Sequence, residues 1–79
     1  MRILDGTLSG SEEGVVRADF NCAPDAEGLS HCTDVIDLVR GGVLTVENTH
    51  AMSRVPCLGP GDRLLVTPQG AGWVVGVKE

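Results

Sequence analysis

Val43-Leu44-Thr45-Val46, Arg63-Leu64-Leu65-Val66 and Trp73-Val74-Val75-Gly76-Val77 are three short apolar runs set among Gly59-Pro60-Gly61-Asp62 and Gln69-Gly70-Ala71-Gly72. β-branched and aliphatic residues at period two fit a half-buried pleated surface, and the intervening Gly, Pro and Asp supply the backbone angles that turns require. Pro60 presets φ and Gly61 permits φ > 0, so a firm turn separates the second run from what precedes it. This half of the chain predicts a sheet, and it takes up most of the best apolar residues.

Working toward the N-terminus, Gly41-Gly42 reads as a hairpin turn into Val43–Glu47. The preceding Asp34-Val35-Ile36-Asp37-Leu38-Val39 admits two readings. Asp34 can cap one helical turn that presents Val35, Leu38 and Val39 on a face; the β-branched pair Val35-Ile36 and the glycines after it favour a strand, the reading preferred here. Val15–Phe20 is the first clear strand, with Val16, Ala18 and Phe20 expected on one face and Val15, Arg17 and Asp19 on the other. Asn21–Thr33 reads as a long polar connection, and residues 1–14 as an N-terminal arm or edge strand before a single domain over 15–79. Arg54–Leu58 is a short extended run that Pro56 confines to an edge or a bulge. The expected fold class is all-β, a small barrel or sandwich of six to seven short antiparallel strands.

Size and charge narrow the partners. A chain of 79 residues buries only roughly 60–65% of its unfolded surface, and with Phe20 and Trp73 as its only aromatics the core must be aliphatic. So small a core favours an assembled working form, with protein as the partner and a homo-oligomer or larger assembly expected. Residues 1–39 hold eight acids and two bases, against three acids and four bases in residues 40–79. That balance, with scattered Arg and few stacking platforms, argues against nucleic acid. Met1–Asp5 is too short and polar for the apolar segment of a signal peptide, and no run approaches the roughly 20 apolar residues of a membrane span, so a soluble, cytoplasmic or virion-associated protein is expected.

Few residues carry chemistry. Cys22, His31, Cys32, His50 and Cys57 are the only metal-like set, but no pair has the close spacing of a zinc knuckle, and His31 and Cys32 would point to opposite faces of a strand. Three cysteines fit a reducing compartment better than a disulfide framework, while a Cys22–Cys32 bridge closing the long connection stands as a separate possibility. Asp19, Asn21, Asp25 and Glu27 fail the calcium-loop pattern, since its sixth and twelfth positions hold Pro24 and Ser30. His50 and Met52 are two soft ligands, too few for copper. No nucleophile motif or phosphate-cradling loop is present, and Gly70-Ala71-Gly72 leads into a strand. The expectation is no enzyme and no cofactor.

Gly61-Asp62-Arg63-Leu64-Leu65-Val66 followed by Gly72-Trp73-Val74-Val75-Gly76-Val77 resembles the terminal hairpin of small β-barrel proteins of tailed-phage particles, of the decoration or head–tail joining type. The resemblance spans about 17 residues and implies a symmetric assembly without cofactor or catalysis, in a virion or capsid. From the residues themselves, the expected function is a non-enzymatic structural or interaction module that assembles through strand edges, arm and loop. Its candidate contacts are Ile3, Leu4, Leu8, Leu29, Val55, Leu58 and Trp73. The alternative is a small metal- or redox-responsive binding protein built on Cys22, His31, Cys32, His50 and Cys57.

Overall fold

The computed structural model describes residues 1–51 and 58–79, with only the backbone of His50 and Ala51. The expected run Arg54–Leu58, with Val55, Pro56 and Cys57, lies outside the described residues except for Leu58, as does Met52. Six strands form one antiparallel sheet: β1 (Arg2–Asp5), β2 (Glu12–Pro24), β3 (Leu29–Leu38), β4 (Val43–Ala51), β5 (Arg63–Pro68) and β6 (Val74–Lys78). Their order is β1-β4-β3-β2-β5-β6, and no helix occurs among the described residues. The sheet curls strongly into a half-barrel, on the barrel side of the two expected architectures, and the described residues form no second sheet. Residues 34–39 belong largely to a strand, as the hairpin glycines indicated; Gly41 and Gly42 both take positive φ, the backbone such a turn needs.

The curl brings the two edges together at one place. Ile3 N donates to Gly72 O at 2.7 Å and Val74 N to Met1 O at 2.8 Å, so Arg2 faces Trp73 across a single bridge. The concave side holds the core of Val16, Ile36, Leu38, Leu44, Val46, Leu64, Val66 and Val74, with Met1, Ile3, Leu8 and Leu58 packed against it. This is the alternation that the sequence showed in β4 and β5, where Leu44, Val46, Leu64 and Val66 are buried between more exposed neighbours.

The polar connection expected over Asn21–Thr33 is instead the far part of the β2–β3 hairpin, which turns only at 25–28. Asp25 makes that turn: its Oδ1 accepts from Glu27 N at 2.9 Å and Leu29 N at 3.0 Å, while Asp25 N donates to Leu29 O at 2.8 Å. Strand β2 also begins earlier than Val15, because Glu12, Glu13 and Gly14 pair with Val66, Leu65 and Leu64. Gly14 is required there, since a Cβ would collide with the Ile36 side chain.

Candidate functional site

Two irregularities in β2 decide what the far part of the hairpin buries. Val16 pairs with Ile36 and Ala18 with Val35, so Arg17 is an extra residue on β2. From there the strand's alternation is inverted: Asp19, opposite Asp34, moves to the concave side, and Phe20, expected beside Val16, is 44% exposed. A second bulge follows between Phe20 and Ala23, where Asn21 and Cys22 together face Cys32. Asn21 sits at φ 54°, a left-handed conformation that asparagine tolerates better than most residues. The two bulges thus bring Asp19 and Cys22 to the same side as Ser30, Cys32 and Asp34, which are buried.

Cys22 and Cys32 are joined by a disulfide, with their Cα atoms 4.1 Å apart. The Cys22 sulfur lies 3.8 Å from Asp19 Oδ1, and donor atoms of Asp19, Cys22 and Cys32 all fall within 4.8 Å of one another. Asp34, two residues along β3 from Cys32, is fully buried, and neither of its carboxyl oxygens makes a hydrogen bond of good geometry, although the Asp19 and Asn48 side chains are close enough to act on it. Burial, and then the Asp19 carboxylate beside it, push the Asp34 carboxyl up to about 8; Asn48, the residue opposite Cys32 on β4, opposes the shift.

His31 does not join the cysteines. It lies on the other face, where Nε2 is 2.8 Å from Asp25 Oδ2 and Nδ1 is 3.0 Å from Thr49 Oγ1. Alternation along β3 separates it from Cys32, as the adjacency of the two residues implied. The contact with His31, followed by the turn amides, holds the Asp25 carboxyl below its ordinary value. His50 pairs with Ser30 in the backbone register, and Cys57 lies outside the described residues. Of the five residues named as ligands in the alternative metal reading, the structure brings together Cys22 and Cys32, adds Asp19 to them, and places Asp34 on the same face, neither acid having been selected from the sequence. The available signal was the spacing Cys32-Thr33-Asp34 in a strand, which puts both on one face.

The contact residues expected for assembly divide in two. Ile3, Leu8 and Leu58 lie against the core, and Leu29 is half-buried at the start of β3. Leu4 is exposed on edge strand β1, and Trp73, before β6, is 52% exposed. The larger exposed apolar group is elsewhere, on the convex side of β5 and β6: Leu65 pairs with Val77, and Thr67 with Val75, beside the β6 edge. Beyond Val74 that edge pairs with no other strand among the described residues.

No helix among the described residues is long and apolar enough to cross a membrane. No protein-family model matches the chain, and neither a curated protein nor a solved structure matches it.

Proposed function

We propose that this protein is a non-enzymatic assembly module whose partner is a second copy of itself, joined through β6. One observation carries the reading: the open edge of β6 lies beside the exposed side chains of Leu65, Val75 and Val77. An edge of this kind is a template for a further strand unless it is blunted by proline, a bulge or inward charge; the charge on β6 is Lys78 at its end, held 3.3 Å from Asp62, and Val75-Gly76-Val77 carries none of these devices. Trp73 and Val74 alternate between neighbours, since Trp73 O accepts from Gln69 N just after β5 and Val74 N donates to Met1 O just before β1. Continuing that alternation turns the N–H and C=O of Gly76 outward. Antiparallel pairing about Gly76 sets Val75 of one copy against Val77 of the other, the self-complementary arrangement of a two-fold dimer. The virion setting rests on the hairpin resemblance alone.

Light scattering over a concentration series tests this. A dimer that becomes a monomer in Val77→Lys, with unchanged β circular dichroism, is the expected result. A wild-type protein that stays monomeric at all concentrations overturns it.

A further inference from the structure

Apart from the β6 edge, the polar end of the β2–β3 hairpin contains a group that its architecture leaves unexplained. A disulfide accounts for Cys22 and Cys32 as a staple of the hairpin. It does not account for a carboxyl group buried next to it with neither oxygen well hydrogen-bonded and a second carboxylate opposite. A buried acid with no hydrogen bond of good geometry is costly, and the Asn48 side chain offsets only part of that cost, so stability alone would favour an apolar residue at position 34. Nor is Asp19 on the concave side by default, since it arrives there through the extra residue Arg17, and Cys22 through the bulge at Asn21.

We propose that Asp19, Cys22, Cys32 and Asp34 form a redox-gated site for a divalent, thiophilic cation of the zinc type, closed while Cys22 and Cys32 are bonded and opened by their reduction. Two thiolates and the Asp19 carboxylate are ligand types that zinc accepts, and Asp34 on the same face is the fourth ligand of the proposal. Donor atoms of Asp19, Cys22 and Cys32 already lie within 4.8 Å of one another. Asp34 lies outside that set while the sulfurs are bonded; it pairs in register with Asp19 and follows Cys32 by two residues on the same face, so as the fourth ligand its carboxyl has to turn toward the sulfurs once they separate.

The gating step balances with a dithiol as reductant. Its two sulfur–hydrogen bonds supply two electrons and two protons, the Cys22–Cys32 bond breaks to give two thiols, and the dithiol closes to its own disulfide. Binding of the cation then releases to solvent the two thiol protons and whatever proton the carboxyl groups hold. In the oxidised protein neither sulfur is an anion and the site lacks half its ligands.

Co²⁺ is the probe, because thiolate coordination gives it a charge-transfer band and a tetrahedral site gives it intense visible bands. The experiment uses the full chain carrying Cys57→Ser, so that only two thiols remain, reduced with a phosphine and titrated with Co²⁺. One equivalent should bind with both spectral signatures, be displaced by Zn²⁺, and fail to bind before reduction. Asp34→Asn and Asp19→Asn should each weaken binding by about ten-fold or more while leaving the disulfide able to form. Absence of the thiolate band in the reduced protein, equal binding by the oxidised protein, or unchanged affinity in both carboxylate variants would overturn the proposal. If the reduced apo-protein unfolds, Co²⁺ is added before reduction, and failure to retain β circular dichroism together with the cobalt spectrum also counts against it. Dimerisation through β6 is read separately by light scattering, so either idea can fail without the other.

Discussion

The two ends of the β2–β3–β4 sheet are built from the same strands by different means. Toward Val16, Ile36, Leu38, Leu44 and Val46 the concave side is aliphatic, and alternation is regular enough for each strand to bury every second residue. Toward Asp19, Cys22, Ser30, Cys32 and Asp34 the same side is polar, and two bulges in β2 reset which residues face inward. The first end is held by removal of apolar surface from water, the second by a covalent bond and in spite of a buried acid. Strand continuity makes the second end possible, because β3 and β4 pair without irregularity from Leu29 to Asp37.

Perturbing each end should break the comparison in a ranked way. Leu44→Ala, at a fully buried aliphatic position, should cost about 2–5 kcal/mol in denaturant unfolding, the largest effect expected from one residue. Cys32→Ser removes a link that closes a sequence separation of 10 residues, and loop entropy puts its cost at about 2–3 kcal/mol. A smaller loss would show that the polar end contributes little to the folded state's advantage.

Asp34 reverses the sign. Its carboxyl is raised from 3.8 to about 8 in the folded, oxidised protein, so the folded state holds a proton that the unfolded chain releases. This group's contribution is therefore full below the unfolded value, declines as pH rises from about 4 to about 8, and is flat above that. Asp34→Asn should raise stability at pH 7 by about 1–3 kcal/mol and flatten this slope, measured by unfolding at a series of pH values. An unchanged slope would mean that the acid is compensated in solution.

The smallest effect sharpens the role of the bulge. Asn21→Gly should be close to neutral, whereas Asn21→Val, β-branched at a positive φ, should cost about 1–2 kcal/mol and slow formation of the Cys22–Cys32 bond in oxidative refolding. Equal behaviour of the two variants would mean that the bulge is not what aligns the sulfurs.

Legibility in the sequence followed the apolar pattern. Leu44 and Val46, and Leu64 and Val66, sit on the core side as their spacing predicts, and Gly59–Asp62 and Gly70–Gly72 form turns. Within Asn21–Thr33 the inward positions are Cys and Ser, so no hydrophobic alternation marked a strand. The hairpin signal there was the turn itself, Pro24-Asp25-Ala26-Glu27-Gly28, read as part of a loop because the flanks were polar. The expected role of Phe20 failed for another reason: a bulge adds one residue, and period-two counting cannot detect it.

What the sequence determined by itself was the all-β class, the strands in the second half, and an aliphatic core, because burial of every second side chain leaves its mark on local composition. Only the tertiary structure decided that the sheet curls until Met1–Ile3 meets Gly72–Val74, that Cys22 reaches Cys32, and that Asp19 and Asp34 face each other inside. These depend on register, bulge position and twist, which are set by the sum of contacts between strands distant in the chain.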